Sequence, residues 1–325
     1  IHGTMTLGMF LANIKIFRDV GDTCSEVYSV WLEMQEVLPP LIRVTRLLNL
    51  PIDIDERKEL SDQRERKSRE KIASLPSQER IAAMNNMPII MRDINIQFHS
   101  GNRPMALPGK VIINPGTLVA VCGPRNAGKS TFLKILGGAI LPNPEDFFIP
   151  SHLKVLHVHP DPIFFSGSLM ENVLFGSKYA DSAAARRRAL RICRLIGLSS
   201  EVIELIDSQL ELPWAKVLSN SQKALVSLAR ALVADPHVLL VHRPTDFLDE
   251  ETKTAIMTTL REFVSKRGLE QEDEKFPVAL RALHTCVMTT TSLSCIELAD
   301  QVICISPEKG MRTVPLAEVT ADMLR

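Results

Sequence analysis

The spacing of apolar positions changes twice along the chain. In residues 5–50, Leu7, Phe10, Leu11, Ile14 and Phe17 recur at helical intervals. Lys15, Asp19, Asp22 and Glu26 follow at i, i+4, i+7 and i+11 and so share another face. This predicts one long helix with few breakers before Pro39–Pro40. Its longest apolar part is too short and too interrupted for a lone membrane span of about 20 residues. Two settings therefore stay open: an amphipathic soluble helix, or a helix of a membrane bundle whose polar face meets water or protein. In residues 51–86 acids and bases alternate with no apolar stripe, which predicts a solvated helix or a mobile linker.

From Met87 onward short apolar runs alternate with helical patterns. Ile89–Ile96, Val111–Ile113, Leu118–Cys122, Val155–Val158, Val238–Val241, Val287–Thr290 and Gln301–Ile305 are expected as strands. A helix is expected to follow Leu118–Cys122 and run through Leu136, with further helical stretches at 168–207 and 221–234. This alternation predicts an α/β domain over 87–325 with a largely parallel sheet flanked by helices.

Composition narrows the function classes. Lys plus Arg is 38 and Asp plus Glu is 38, a balance that gives no basic footprint for nucleic acid. Aromatic residues make up 5%, too few to suggest a base-stacking platform. The six cysteines form no CxxC pair, and several sit in apolar runs, so reduced thiols in a reducing compartment are expected. The first residue is Ile rather than Met, so the natural start is expected to lie upstream.

The chemistry concentrates at GPRNAGKST, residues 123–131, which fits GxxxxGK[ST] and lies between a strand and a helix. Glycines let the backbone curl so that successive N–H groups face phosphate oxygens, and the helix start adds its positive end. Lys129 would reach the β and γ phosphates, and Ser130 would offer its hydroxyl to Mg²⁺. The remaining cradle residues are Gly123, Asn126, Ala127, Gly128 and Thr131.

The order of motifs over 87–315 resembles the nucleotide-binding domain of ATP-binding cassette (ABC) proteins. GPRNAGKST is similar to Walker A. LSNSQ at 218–222, with Ser219, Asn220, Ser221 and Gln222, resembles the LSGGQ signature, and HVLLVHRPTDFLD at 237–249 resembles Walker B and the D-loop. DPIFFSGSLMENVLFG at 161–176 and MTTTSLSCIELADQVICI at 288–305 resemble the stretches after the Q-loop and around the switch histidine. The resemblance implies a P-loop NTPase fold with a helical signature subdomain, ATP as ligand, and Phe98 stacking on adenine. It implies a head-to-tail partnership with a second such domain, from the same or a different chain, joined to a transmembrane domain. TLGMFLANIKIF within residues 1–50 resembles the last transmembrane helix of an exporter half. Membrane localisation follows, with the nucleotide-binding domain in the cytosol or an organelle matrix.

The catalytic positions depart from that family. His242 stands where an Asp holds Mg²⁺, and Arg243 stands where a Glu polarises water. Arginine cannot accept a proton at neutral pH. Pro160, or His159 with a one-residue slip, replaces the Q-loop glutamine, and Thr291 replaces the switch histidine. Asn220 and Ser221 replace both signature glycines, although Ser221 retains the chemistry of a helix cap. The expectation is a pseudoenzyme that binds ATP, holds Mg²⁺ weakly at most, and uses ATP to stabilise a dimer. The rival expectation is a catalytically dead scaffold subunit of a larger membrane or organellar assembly. His284 as a displaced switch histidine and an active ATPase with unorthodox ligands are the weakest expectations. Arg186–Arg188 with Arg191 are expected on a solvated face, Trp214 as core, and 268–277 as an exposed acidic loop.

Overall fold

The computed structural model describes residues 6–50, 52–73, 76–96, 105–177, 182–246, 248–269, 278, 281–320 and 323. Phe98 and most of the acidic segment 268–277 lie outside the described residues. The chain divides into two units, Ile1–Glu56 and Arg57–Arg325.

The first unit is dominated by α1 (Leu7–Leu48), 42 residues long and without a buried position. Thr6 caps its start by accepting the Met9 N–H. The helix continues through Pro39 and Pro40. Their missing N–H groups leave the Gln35 and Glu36 carbonyls without intrahelical donors, which water can supply on an exposed helix. Among the described residues no helix is both long and apolar enough to cross a membrane. This corrects the transmembrane expectation for residues 1–50. The long helix forms, but charged residues spread from Lys15 to Arg46 leave it no apolar run of about 20 residues.

The second unit begins on the charged segment. α2 (Ile54–Ala73) is helical, but it is not solvated all round. Arg57, Leu60, Arg64, Lys67 and Lys71 recur at steps of three and four, so they share one face. Arg57 donates to Gly138 O at 2.7 Å and Lys67 Nζ to Pro144 O at 3.0 Å. The Arg64 guanidinium lies 5.0 Å from the Phe147 ring centre and Lys71 Nζ 3.8 Å from that of Phe148. Leu60 and Ser68 are buried. α3 (Ser77–Asn85) follows.

β1 (Ile89–Ile96) pairs antiparallel with β2 (Met105–Ile113), and a bulge at Asp93 shifts the register between Arg92 and Ile94. β3 (Leu118–Cys122), buried throughout, leads into α4 (Lys129–Leu136). The short β4 (Phe147–Phe148) adds to β1, giving the order β2-β1-β4. β5 (Val155–Val158) precedes the helical region, where α5 (Leu169–Leu174), α6 (Ala183–Leu195) and α7 (Ser200–Asp207) divide the expected stretch 168–207, α8 (Trp214–Val217) follows, and α9 (Asn220–Val233) forms where a helix over 221–234 is expected. Then come β6 (Val238–His242), α10 (Glu250–Ser265), β7 (Thr285–Thr289), α11 (Leu293–Glu297), β8 (Gln301–Ser306) and β9 (Gly310–Val314).

The main sheet has the order β5-β6-β7-β3-β8-β9, parallel except for the β8–β9 hairpin. One core lies between this sheet and α5–α10. The other lies between the sheet, α4 and the three-stranded layer. Gly109 of β2 and Gly310 of β9 allow the layers to meet. A Cβ on Gly109 would fall 2.3 Å from Met311 O, and one on Gly310 would fall 2.0 Å from Pro108 O.

Trp214 is buried and donates Nε1–H to Gly167 O at 2.8 Å. Arg188 departs from the solvated face expected of its run. Its guanidinium donates to Leu269 O and Val233 O, each at 2.9 Å, and ties α6 to its neighbours. The cysteines are free thiols, and all but Cys24 are buried. Truncating Leu60→Ala is expected to destabilise the second unit by about 2–3 kcal/mol. Urea denaturation would read this as a lower midpoint at unchanged slope.

A candidate phosphate cradle with basic strand ends

In-register parallel pairing gathers the site. Val121 and His242 both pair with Thr289, so β3, β7 and β6 end side by side. The chain leaving β3 turns at once through Gly123, whose φ of +143° and close approach to Ile305 exclude a side chain. A Cβ there would fall 2.0 Å from Ile305 O. Asn126 and Gly128 also have positive φ, +61° and +99°, and the Ala127 N–H closes a turn onto Pro124 O. Gly128 begins α4 with no side-chain cap. The first N–H groups of the helix therefore face the loop, at the positive end of its dipole. The methyl of Met105 packs directly on Gly128, where a Cβ would fall 1.9 Å from it.

Lys129 is buried at 5% exposure. Its ammonium donates to Gly123 O and Pro124 O, both at 2.6 Å. Burial, then the Arg243 charge, hold its pKa below the usual lysine value, partly offset by the Cys122 and Cys304 thiols beneath. Ser130 and Thr131 are half-buried on the first turn of α4. The cradle residues expected from sequence thus converge, while Phe98 lies outside the described residues.

At the end of β6 the Thr289 hydroxyl accepts the Arg243 backbone N–H at 3.0 Å and lies 2.9 Å from His242 Nδ1. Whichever atom donates, this contact and the amide bond tie both His242 and Arg243 to β7. Burial, with Arg243 and lysines 129 and 134 nearby, holds the His242 pKa below 6.5. Arg243 has φ of +49°, an uncommon conformation for a bulky residue. Its guanidinium reaches Asp246 at 3.4 Å, and both side chains are about one-third exposed. Neither Thr289 nor Asp246 was singled out from sequence. Thr289 acts through strand register across 46 intervening residues, which leaves no local signal.

His242, Arg243 and Asp246 line a cleft of ≈ 820 Å³ together with His159, Pro160, Asp161, Asn220 and Ser221. Pro160 offers no amide side chain, and His159 turns inward to accept the Asp161 N–H at 3.1 Å. Thr291 is exposed just past β7. In the signature segment Ser219, not Ser221, caps α9. Ser219 Oγ accepts from the Gln222 N–H, and Gln222 Oε1 accepts the Ser219 N–H. Ser221 is two residues too late for that role and lines the cleft. His284 lies before β7, at the far end of the sheet, where its Nε2 is 3.2 Å from Asp235. It is a structural residue rather than a switch.

The residues fit a triphosphate better than a magnesium ion. Two glycines at positive φ, a buried lysine and an uncapped helix start suit phosphate. Mg²⁺ requires an octahedron of oxygens. The neighbouring donors are the Ser130 hydroxyl, an imidazole and a guanidinium, and among the described residues no group of three His, Cys, Asp or Glu could hold a metal.

Residues 109–246 match the family model described as ABC transporter. The chain is 29% identical over 235 residues to the ABC multidrug transporter mdr2 of Aspergillus fumigatus, covering 66% of this chain and 26% of that protein. It is 30% identical over 209 residues to the sulfate/thiosulfate import ATP-binding protein CysA 1 of Agrobacterium fabrum, covering 61% and 55%. Thus the chain spans about a quarter of the first relative and about half of the second. In fold it is similar to a bacterial Atm1-family ABC exporter solved with ATP bound, with a TM-score of 0.54, 18% identity, and coverage of 72% of this chain and 40% of that one.

The imidazoles predict an acid response. Burial holds His152, His157 and His242 below 6.5. His157 faces His159, His242 and Lys134, and His242 faces Arg243, Asp246, Lys129 and Lys134. Each takes its proton near 6.5 when unfolded and only at lower pH when folded. Their contribution to stability is therefore complete above about 6.5 and is lost as pH falls through the folded value. Thermal melts should show Tm falling from about pH 7.5 to about pH 5.5, with a shallower fall in His157→Asn.

Proposed function

We propose that the ABC transporter nucleotide-binding domain carried by this chain binds ATP at Gly123–Thr131 and does not hydrolyse it at a useful rate. ATP then serves as an adhesive between this domain and a second one of the same type, from a like or unlike chain. Each interface takes a cradle from one domain and a signature segment from the other. A transmembrane domain coupled to the pair provides the membrane association.

The observation that carries this reading is the contrast at the strand ends. The glycine loop and buried Lys129 are built for phosphate, whereas His242 and Arg243 occupy the positions from which metal and water would be controlled. Phosphoryl transfer needs positioning, charge neutralisation and an oriented water together. Without a general base the rate falls by about 10²–10⁴. Arg243 cannot take a proton, and Pro160 and Thr291 supply neither an amide nor an imidazole. Ser221 and Asn220 put side chains where the family signature has bare backbone, which would also hamper firing at a partner's site.

One observation favours the scaffold reading. The Lys129 ammonium is already satisfied by two loop carbonyls, so the cradle is electrostatically stable without a nucleotide.

Calorimetric titration with ATP separates the two. Saturable binding weakened at least about tenfold by Lys129→Ala supports the nucleotide reading. Heat-free titrations of both proteins, confirmed by equilibrium dialysis, would leave the scaffold. Steady phosphate release abolished by Lys129→Ala would overturn the claim of inactivity. The double substitution His242→Asp with Arg243→Glu is expected to leave phosphate release at background, because Pro160 and Thr291 remain. Rapid turnover in that variant would show that those two positions are dispensable.

A further inference from the structure

A phosphate cradle normally faces an electrostatic problem, because a triphosphate carries more negative charge than one lysine can neutralise. A divalent cation is the common solution, and it needs oxygen donors. The residues beside Lys129 do not supply them. In the adjoining cleft, whose described lining includes His242 and Arg243 but none of Gly123–Thr131, the carboxylates are Asp161, which is exposed, and Asp246, which is paired with Arg243. A second fixed positive charge, the Arg243 guanidinium, opposes that of Lys129 and would oppose a metal ion in the same way.

Arg243 is arranged as a donor in reserve. Its backbone is held in the left-handed region at φ +49°, with its N–H tied to Thr289 Oγ1 at 3.0 Å. Among the described residues its guanidinium contacts the Asp246 carboxylate at 3.4 Å, with both side chains about one-third exposed, and a stronger acceptor can replace that contact. Its Nε is buried and has no hydrogen-bond partner among the described residues. A buried donor without an acceptor is costly, and phosphate oxygens match the guanidinium fork. His242 adds an imidazole at the same strand end.

We propose that this cradle selects a metal-free nucleoside triphosphate, with the Arg243 guanidinium taking the charge-neutralising place of a divalent cation. The proposal rests on the reading that Gly123–Thr131 binds ATP. It makes Arg243 a binding residue rather than a relic of a lost base. It also implies that free magnesium opposes binding, by converting ATP into a complex that the site repels.

The test titrates ATP into the full chain by calorimetry, once with EDTA and once with saturating magnesium. Wild type is expected to bind about tenfold tighter with EDTA. Arg243→Asn removes the charge while tolerating positive φ. It should weaken binding in EDTA about tenfold and erase or reverse the preference. Arg243→Lys keeps the charge without the fork and should fall between the two. Equal or tighter wild-type binding with magnesium, or an Arg243→Asn protein unaffected in EDTA, overturns the proposal while leaving ATP binding intact. Absence of ATP binding in both solutions overturns the nucleotide reading and this inference together. The wild-type comparison needs no variant, so it decides the matter even if the substitutions fail to fold.

Discussion

The site depends on the parallel register of three strands. Because Val121 and His242 both pair with Thr289, the ends of β3 and β6 are each fixed one strand spacing from the end of β7, which lies between them. One hydroxyl at the centre of that row then holds both an imidazole and the backbone of an arginine. Gly123 lets β3 leave the sheet against Ile305 O, where a side chain could not fit. A one-residue slip in any of these strands would turn Thr289 away from the site and bring a core residue into it.

The same arrangement explains how so many basic groups can stand together. Lys129 divides its charge between two carbonyls, His242 is held neutral by burial, and Arg243 leans on Asp246. The residual charge is thus two cations over a glycine loop, which the protein tolerates at the cost of lowering the lysine pKa. Placing a carboxylate at 243 would remove that repulsion. Its absence turns a metal-dependent geometry into one biased towards anions.

The fold was readable where physics acts locally. Ile89–Ile96 and Leu118–Cys122 were bounded correctly because their apolar runs end at turns, and the loop after Cys122 announces itself through its glycines. The helical region was less legible. Gly176, Gly197 and capping serines at 168, 182 and 199 divide it into separate helices. Distant partnerships left no signal at all. Thr289 is an ordinary β-branched strand residue until its neighbours are known, and Met105 meets Gly128 only through the packing of two layers. At α1 the resemblance to a transmembrane helix and the charge pattern pull apart, and among the described residues no helix is long and apolar enough to cross a membrane.

α2 shows why charge alternation misleads. A search for apolar stripes finds nothing in its sequence, because the inward face is Arg57, Leu60, Arg64, Lys67 and Lys71. Leu60 is buried among them, and the four cations bind through methylene stems, aromatic faces and backbone carbonyls. Burial drops the Arg64 pKa to about 10, and two of its nitrogens have no hydrogen-bond partner, so the contact is held by the Phe147 face and packing rather than by an ion pair. At α2 and at the cradle alike, cations meet a π face or a backbone carbonyl. At the cradle that logic leaves one strong acceptor still to be supplied, and phosphate is the chemical group whose charge and oxygen geometry fit it.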